Sequence, residues 1–180
     1  MYDSCEIFFH AIPMTSVALD DLDLRILQVM QDDASLTNAE LATRVFASAP
    51  TTMRRVRRLR ETGVIAREIA VLDAEKVGNT LAAIIEVTLD RQTAEDCAAF
   101  ESQVCAEPAV TQCYRVSPGP DFVVMVELRD MAAYDAFARR LFRGASNVRN
   151  VRTFFSTHRA KFAANAPVGP DGHANPSGVA

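Results

Sequence analysis

The spacing of apolar residues changes once along this chain of 180 residues, and that change constrains the fold more than any other feature. Up to Leu59 the apolar positions recur every three or four residues, which is the pattern of amphipathic helices. After the polar segment 73–80, which contains Gly78, branched and alternating runs typical of strands predominate. The sequence therefore predicts a helical domain at 19–72, a linker at 73–80 and a mixed domain at 81–162.

The first domain is predicted to contain three helices followed by a β wing. Thr37 and Glu40 have the spacing of a capping box and begin the second helix. Ser48 is suited to cap the third helix, which Gly63 ends. The alternating run 64–72 predicts a hairpin or a pair of short strands. This order is that of a winged helix-turn-helix, in which the third helix enters the major groove of DNA.

The third predicted helix is strongly basic, although the formal net charge of the chain is -4. Met53, Val56 and Leu59 fall on one helical face and are predicted to pack in the core. Guanidinium groups on the remaining faces suit a DNA groove, and a solvated basic surface is the alternative. Because the whole chain is acidic, contact with nucleic acid is confined to this patch. Its arginines are Arg54, Arg55, Arg57, Arg58 and Arg60.

The second domain is predicted to have the order βαββαβ, which is that of a ferredoxin-like sandwich. One helix runs over 94–106 with Cys97, Phe100, Val104 and Cys105 facing inward, and Asp130 caps the other. Two helices cover only one face of the sheet, so the other face is predicted to be buried by dimerisation. The predicted strands are 81–89, 110–116, 122–128 and 148–155.

Neither a metal site nor a cofactor is predicted. The four cysteines lack CxxC spacing and the three histidines are scattered, so small buried thiols are favoured over ligands or nucleophiles. No apolar run has the length of a membrane span, which predicts a cytoplasmic protein without a membrane partner. Residues 1–18 are interpreted as an N-terminal extension, and residues 163–180, rich in Ala, Gly, Pro and Asn, as a flexible tail.

Several stretches in both domains resemble the Lrp/AsnC (feast/famine) family of transcription regulators. They are 19–27, 36–42 and 56–65 in the first domain, and 129–134 and 147–149 in the second. The resemblance implies an α+β protein in which an N-terminal winged helix-turn-helix precedes a C-terminal ferredoxin-like domain of the RAM type. It also implies that the second domain senses an effector and joins homodimers, which assemble further into tetramers or octamers.

The resemblance implies that double-stranded DNA is bound mainly by the start of the third helix. Arg55 and Arg58, with Thr51 and Thr52, are expected to meet base edges and nearby phosphates. The family usually has glycine after the position of Val45, where this chain has Phe46. The full predicted DNA-binding set is Asn38, Ser48, Pro50, Thr51, Thr52, Arg54, Arg55, Arg57 and Arg58.

Family members commonly bind a small effector near the loop between the second and third strands of the second domain. In that loop Asp121 is predicted either to receive the ammonium group of an amino acid or to cap backbone N–H groups of the turn. Tyr114 and Phe122 are predicted to line the same cleft, with packing in the core as the alternative. Pro118 stands at the usual glycine position. The predicted effector-binding set is Tyr114, Ser117, Gly119, Asp121 and Phe122.

The predicted function is sequence-specific transcriptional regulation, modulated by a small effector such as an amino acid, without enzymatic activity. Siroheme decarboxylase subunits, which are similar to this family in both domains, are the enzyme alternative. Those enzymes depend on histidine and arginine near the equivalent loop, where this chain has two prolines and no histidine. The third hypothesis is a ligand-binding oligomer without a DNA role, against which the dense arginine helix argues.

Overall fold

The computed structural model describes residues 17–143, 147–163 and 165–168. The chain divides into two compact units. The helical unit comprises Met1–Ile69 together with Ala163–Ala180, and the sheet unit comprises Ala70–Phe162. Most of the predicted N-terminal extension, residues 1–16, lies outside the described residues. No described helix combines the length and apolar character needed to cross a membrane.

The helical unit contains α1 (Asp21–Asp32), α2 (Asn38–Arg44) and α3 (Ala49–Glu61). The capping box predicted for α2 is confirmed, because the Thr37 hydroxyl accepts the Glu40 N–H and the Glu40 carboxylate accepts the Thr37 N–H. Apolar side chains from all three helices meet in one core, so the helices stabilise one another. The buried apolar residues of this core are Ile26, Leu27, Leu41, Val45, Val56 and Leu59.

The packing of α3 differs in two positions from the predicted pattern. Met53, predicted to be in the core, is 60% exposed. Thr52 is fully buried instead, and its hydroxyl donates to the Ser48 carbonyl at 3.1 Å, so burial leaves no hydroxyl unsatisfied. The core-facing stripe of α3 is therefore centred on Thr52, Val56 and Leu59.

The predicted β wing is wrong, because residues 64–72 form no strand in the described chain. Val64 and Ile65 pack against the helical core, and the Ile65 N–H donates to the Leu59 carbonyl at 3.0 Å. Beyond them Val71 and Leu72 remain largely exposed. The segment contains no Gly, Pro, Asn or Asp with which to reverse direction, so its alternation alone does not produce a hairpin.

The predicted flexible tail is corrected for residues 165–168, which lie against α1. The Ala166 N–H donates to Gln31 Oε1 at 2.6 Å, and Gln28 Nε2 donates to the Val168 carbonyl at 2.8 Å. Val168 also packs against the apolar core of the helical unit. Residues 169–180 lie outside the described part of the chain.

The sheet unit has the predicted order of elements. These are β1 (Leu81–Leu89), α4 (Ala94–Cys105), β2 (Val110–Arg115), β3 (Phe122–Leu128), α5 (Met131–Leu141) and β4 (Val148–Phe155). The four strands form an antiparallel sheet in the order β2-β3-β1-β4. Asp130 caps α5, as predicted, by accepting the Ala133 N–H at 2.8 Å. The α+β fold expected from the sequence is confirmed.

One face of the sheet packs against α4 and α5, and alternate residues of β1 and β3 fill this core. Cys97, Phe100 and Val104 of α4 are buried there as predicted. Cys105, predicted to face inward, is exposed, because the next helical position after Val104 lies about 100° around the helix. The opposite face carries Ile84 and Phe154, which are 40% and 45% exposed.

Candidate nucleic-acid interface and effector loop

The start of α3 is held by short-range hydrogen bonds. The Ser48 hydroxyl accepts the Thr51 N–H at 3.4 Å and donates to Thr51 Oγ1 at 2.9 Å. Pro50 is exposed in the first turn of α3. It lacks an N–H, but this costs no hydrogen bond because N–H groups of the first turn have no partner within the helix. Asn38 Nδ2 donates to the Ala49 carbonyl at 2.9 Å, which fixes the start of α2 against the start of α3.

Two of the five arginines of α3 are bound to α1 through a buried carboxylate. Asp23 is fully buried, and its oxygens accept hydrogen bonds from Arg55 Nη1 at 3.3 and 3.4 Å and from Arg58 Nη2. Arg55 Nη1 also lies 2.6 Å from Asp20 Oδ2. The side chains of Arg55 and Arg58 are only 26% and 39% exposed. A buried carboxylate is stable only when paired in this way, so Asp23 fixes the rotation of α3 about its axis.

The outward face of α3 carries Arg54 and Arg57. Arg57 is 79% exposed and pairs with Glu61, four residues later, at 2.7 Å. Hydrogen bonding to Glu61 raises the pKa of Arg57, which therefore remains charged. Arg54 is exposed and makes no ion pair with any residue that the structure describes. This face presents cations that a phosphate backbone attracts at little cost in existing interactions.

The structure changes the predicted roles of three residues on α3. Thr52 is fully buried and unable to reach a base edge without unfolding the helix. Arg55 and Arg58, predicted to be at base edges, are bound to Asp23 instead. Sequence reasoning missed Asp23, although a signal was available. An acidic residue three and four positions before the core residues Ile26 and Leu27 lies on the buried helical face and requires a cation.

In the predicted effector loop, Asp121 joins β1 to β3. Its Oδ2 accepts the Leu89 N–H at 2.7 Å and Gln92 Nε2 at 3.3 Å, and its own N–H donates to the Val87 carbonyl at 2.9 Å. The Val116 N–H donates to the Asp121 carbonyl at 3.0 Å and closes the loop. The side chain thus accepts a backbone N–H from the end of β1, 32 residues away, and not the local N–H groups of the turn that the predicted alternative named. Ser117 and Gly119 lie exposed within the loop, Gly119 with a φ of 130°.

Tyr114 and Phe122 do not line one cleft, contrary to prediction. Tyr114 lies opposite Val123 in the β2–β3 register, so Tyr114 and Phe122 project from opposite faces of the sheet. Phe122 is fully buried, with its ring centroid 4.8 Å from that of Phe100. Tyr114 is 50% exposed and donates its hydroxyl to Gln112 Oε1 at 2.7 Å. The apolar alternation of β3 places Phe122 in the core.

Comparisons with known proteins agree with this arrangement in both units. Residues 19–66 match the model of a winged helix-turn-helix DNA-binding domain, and residues 82–165 match that of the Lrp/AsnC ligand binding domain. The leucine-responsive regulatory protein of Rhizobium meliloti is 36% identical over 152 residues, which cover 84% of this chain and 97% of that protein. The chain belongs to the Lrp/AsnC family of transcriptional regulators.

Other members of the Lrp/AsnC family align over most of their length. The Bkd operon transcriptional regulator of Pseudomonas aeruginosa is 33% identical over 77% of this chain and 90% of its own. An AsnC family regulator from Agrobacterium tumefaciens has a TM-score of 0.79 and 32% identity, covering 83% of this chain and 97% of its own. A regulator from Neisseria meningitidis, solved as a complex with L-Met, has the same TM-score and coverage with 29% identity.

Membership in the Lrp/AsnC family assigns a function to each unit. The helical unit is the helix-turn-helix DNA-binding domain of a transcriptional regulator, in which α3 is the third helix. The sheet unit is the ligand-binding domain of the family.

Proposed function

We propose that this Lrp/AsnC regulator contacts duplex DNA through the outward face of α3, with Arg54 and Arg57 on phosphates. The observation that carries the proposal is the division among the α3 arginines. Asp23 binds Arg55 and Arg58, whereas Arg54 and Arg57 point away from the core with at most a surface ion pair. Surface pairs of this kind are worth about 0–1 kcal/mol, so a phosphate competes with Glu61 for Arg57 at little cost.

The polar groups at the start of α3 are proposed to recognise the DNA sequence. Ser48 caps α3 and Thr51 lies in its first turn, while Asn38 at the start of α2 is hydrogen-bonded to Ala49 of α3. The N-terminal residues of a reading helix are those that reach base edges, while cations farther along supply affinity for any duplex. The proposed DNA-contacting set is Asn38, Ser48, Pro50, Thr51, Arg54 and Arg57, with Arg58, which is 39% exposed and bound to Asp23, at its edge.

The test begins by mapping the DNA that the protein occupies in cells, which supplies a specific fragment for binding measurements. Replacing Arg57 by Ala should weaken binding to that fragment and to unrelated DNA alike. A matched control is Arg139→Ala, because Arg139 is also an exposed helix arginine paired with a carboxylate four residues away, in the other unit. Equal affinities for the two variants would contradict the proposed role of Arg57.

The open face of the sheet is proposed to join two copies of the chain. Ile84 lies directly opposite Met125 on β3 and Phe154 on β4, which makes an apolar row across three strands. Beside it Glu86 and Arg152 form an ion pair at 3.4 Å, a polar border to the apolar row. An exposed apolar sheet surface of this kind is usually covered by a partner, and a second copy brings the two DNA-binding units that a two-fold operator requires.

Light scattering on the purified protein tests the proposed interface. Ile84→Glu places a charge in the centre of the apolar row and should reduce the measured mass to that of a smaller species. Met131→Glu is the control, because Met131 is 53% exposed on α5, outside the row. A mass unchanged by Ile84→Glu would show that this face does not join the copies.

The proposed effector is a small molecule of the amino-acid class. Support comes from the family's ligand-binding domain and from the L-Met bound to the related Neisseria meningitidis regulator. The proposed binding groups are Ser117 and Gly119 in the exposed loop, Tyr114 on the open sheet face, and the Asp121 carboxylate, whose Oδ1 makes no hydrogen bond among the described residues. Phe122 is buried and is therefore excluded from the set.

Isothermal titration with a panel of amino acids tests the effector. Binding by the unmodified protein that is abolished in Ser117→Trp, which fills the loop without touching the core, would support the site. Binding retained in that variant would place the ligand elsewhere.

The related proteins are transcriptional regulators, so we infer a non-enzymatic protein that acts with DNA in the cytoplasm.

A further inference from the structure

The turn between α2 and α3 contains a residue in an unfavourable conformation. Phe46 has a φ of 56°, and it is the only residue other than glycine with positive φ in the described chain. A side chain at such a position clashes with its own backbone, and for a bulky residue the conformation is an outlier. Glycine adopts it without strain.

Two main-chain hydrogen bonds at the end of α2 hold Phe46 in that conformation: the Phe46 N–H donates to the Thr43 carbonyl at 3.3 Å, and the Ala47 N–H donates to the Ala42 carbonyl at 3.0 Å. The Phe46 side chain is 89% exposed, the highest value among the exposed large apolar residues of the described chain. It is absent from the apolar core to which its neighbours Val45 and Ala47 contribute. The end of α2 therefore explains the backbone of Phe46 but not the choice of a large apolar side chain there. An apolar ring held in water gains free energy only when something outside the unit covers it.

The position of Phe46 indicates what covers it. The turn leads directly into Ser48, the N-cap of α3, and then to the half-buried Thr51 and the exposed Arg54. On the other side lies Arg44, which is exposed and makes no ion pair with the described residues. Along the chain, Phe46 therefore lies between the cationic Arg44 and the hydroxyl group of Ser48, on the segment that leads to the proposed DNA-contacting face.

We propose that Phe46 packs against duplex DNA, on a thymine methyl group or on the carbon face of a deoxyribose at the edge of the major groove. The proposal rests on the proposed function, because it requires α3 to lie against the groove. Apolar side chains discriminate thymine through its methyl group, and they add affinity without neutralising a phosphate. Phe46 thus contributes to the free energy of DNA binding in a way that salt does not screen.

Phe46→Gly separates this role from a structural one, because the two roles predict opposite changes. Removing the strain should raise the melting temperature of the free protein by about 2–4 °C. Removing the ring should weaken binding to the mapped DNA fragment about tenfold in a dimer that lacks both rings. The slope of log affinity against log salt should not change, since the ring neutralises no phosphate.

Two further variants complete the design. Phe162→Gly is the matched control, because Phe162 is also an exposed phenylalanine, 53% accessible, and belongs to the sheet unit. Its DNA affinity should equal that of the unmodified protein. Phe46→Leu keeps an apolar side chain and should retain most of the affinity.

Phe46→Gly with unchanged DNA affinity would overturn the proposal. A smaller assembly mass in Phe46→Gly, with unchanged DNA affinity, would show that the ring packs against another copy of the chain and would also overturn it. Failure of the proposed function gives a different result, because Arg57→Ala would then bind DNA with the same affinity as its control Arg139→Ala.

Discussion

Replacing the buried Asp23 by Asn is the perturbation that most directly tests how α3 is held. Asparagine retains the size of the side chain and an oxygen for the Asp20 N–H, but it removes the charge that binds Arg55 and Arg58. Removing one partner of a buried ion pair costs about 3–5 kcal/mol, and a hydrogen bond to a charged group is worth about 1.5–3 kcal/mol. Since the two arginines are 26% and 39% exposed, water solvates part of each, and we expect a loss of stability of about 2–3 kcal/mol.

Urea unfolding monitored by the circular dichroism of the helices measures this loss of stability. With a slope near 2 kcal/mol per molar urea, the midpoint should fall by about 1 M or more. Asp21→Asn is the matched control, because Asp21 lies in the same first turn of α1, is exposed and undergoes the same change of charge. The free energy of unfolding of Asp21→Asn should change by less than about 0.5 kcal/mol.

DNA binding by the same two variants is a second test, in which loss of charge and loss of helix orientation change the affinity in opposite directions. Each substitution removes one negative charge, so long-range electrostatics alone predicts slightly tighter DNA binding for both. If Asp23 orients the reading helix, Asp23→Asn should instead bind more weakly than Asp21→Asn at temperatures where both are folded. Equal stability and equal DNA affinity of the two variants would refute the role assigned to Asp23.

Two other predictions concern titratable groups. Hydrogen bonds from the Thr37 hydroxyl and the Thr37 N–H lower the pKa of Glu40, so this carboxylate stabilises the folded state at neutral pH, and the stabilisation disappears as pH falls through its lowered pKa. Thr37→Val should return the pKa of Glu40 toward its usual value in a carbon-detected NMR titration, and an unmoved pKa would contradict the capping role. Burial is the main cause that raises the pKa of the Cys113 thiol to about 11, whereas Cys105 is exposed. Iodoacetamide at a pH of about 7.5 should therefore label Cys105 before Cys113 in a Cys5→Ser background, and faster labelling of Cys113 on mass spectrometry would contradict its burial.

Local signals in the sequence predicted most of the fold. The Thr37 and Glu40 capping box, Ser48 before α3 and Asp130 before α5 all lie where the structure has them, because caps depend on residues only three positions apart. The order of the strands along the chain followed from their apolar alternation. Interactions between neighbours in sequence are thus predictable without knowledge of the tertiary structure.

The errors have both distant and local causes. Pairing of Asp23 with Arg55 and Arg58 spans more than 30 residues, so the spacing on α3 alone did not indicate that two of its guanidinium groups are bound. Thr52 replaces Met53 in the core because its hydroxyl finds the Ser48 carbonyl, which makes a small polar residue acceptable there. Phe122 is predicted to line a cleft because it follows Asp121, whereas it lies on the core-facing side of β3 together with Val124 and Val126.

The salt dependence of DNA binding tests most directly whether the outward face of α3 contacts DNA. Affinity for the mapped fragment should be measured over a series of salt concentrations for the unmodified protein, for Arg54→Ala/Arg57→Ala and for Arg139→Ala. We expect the slope of log affinity against log salt to fall by about 0.9 for each phosphate that is no longer neutralised, and only in the double variant. An unchanged slope and affinity in Arg54→Ala/Arg57→Ala would contradict the claim that the outward face of α3 contacts DNA.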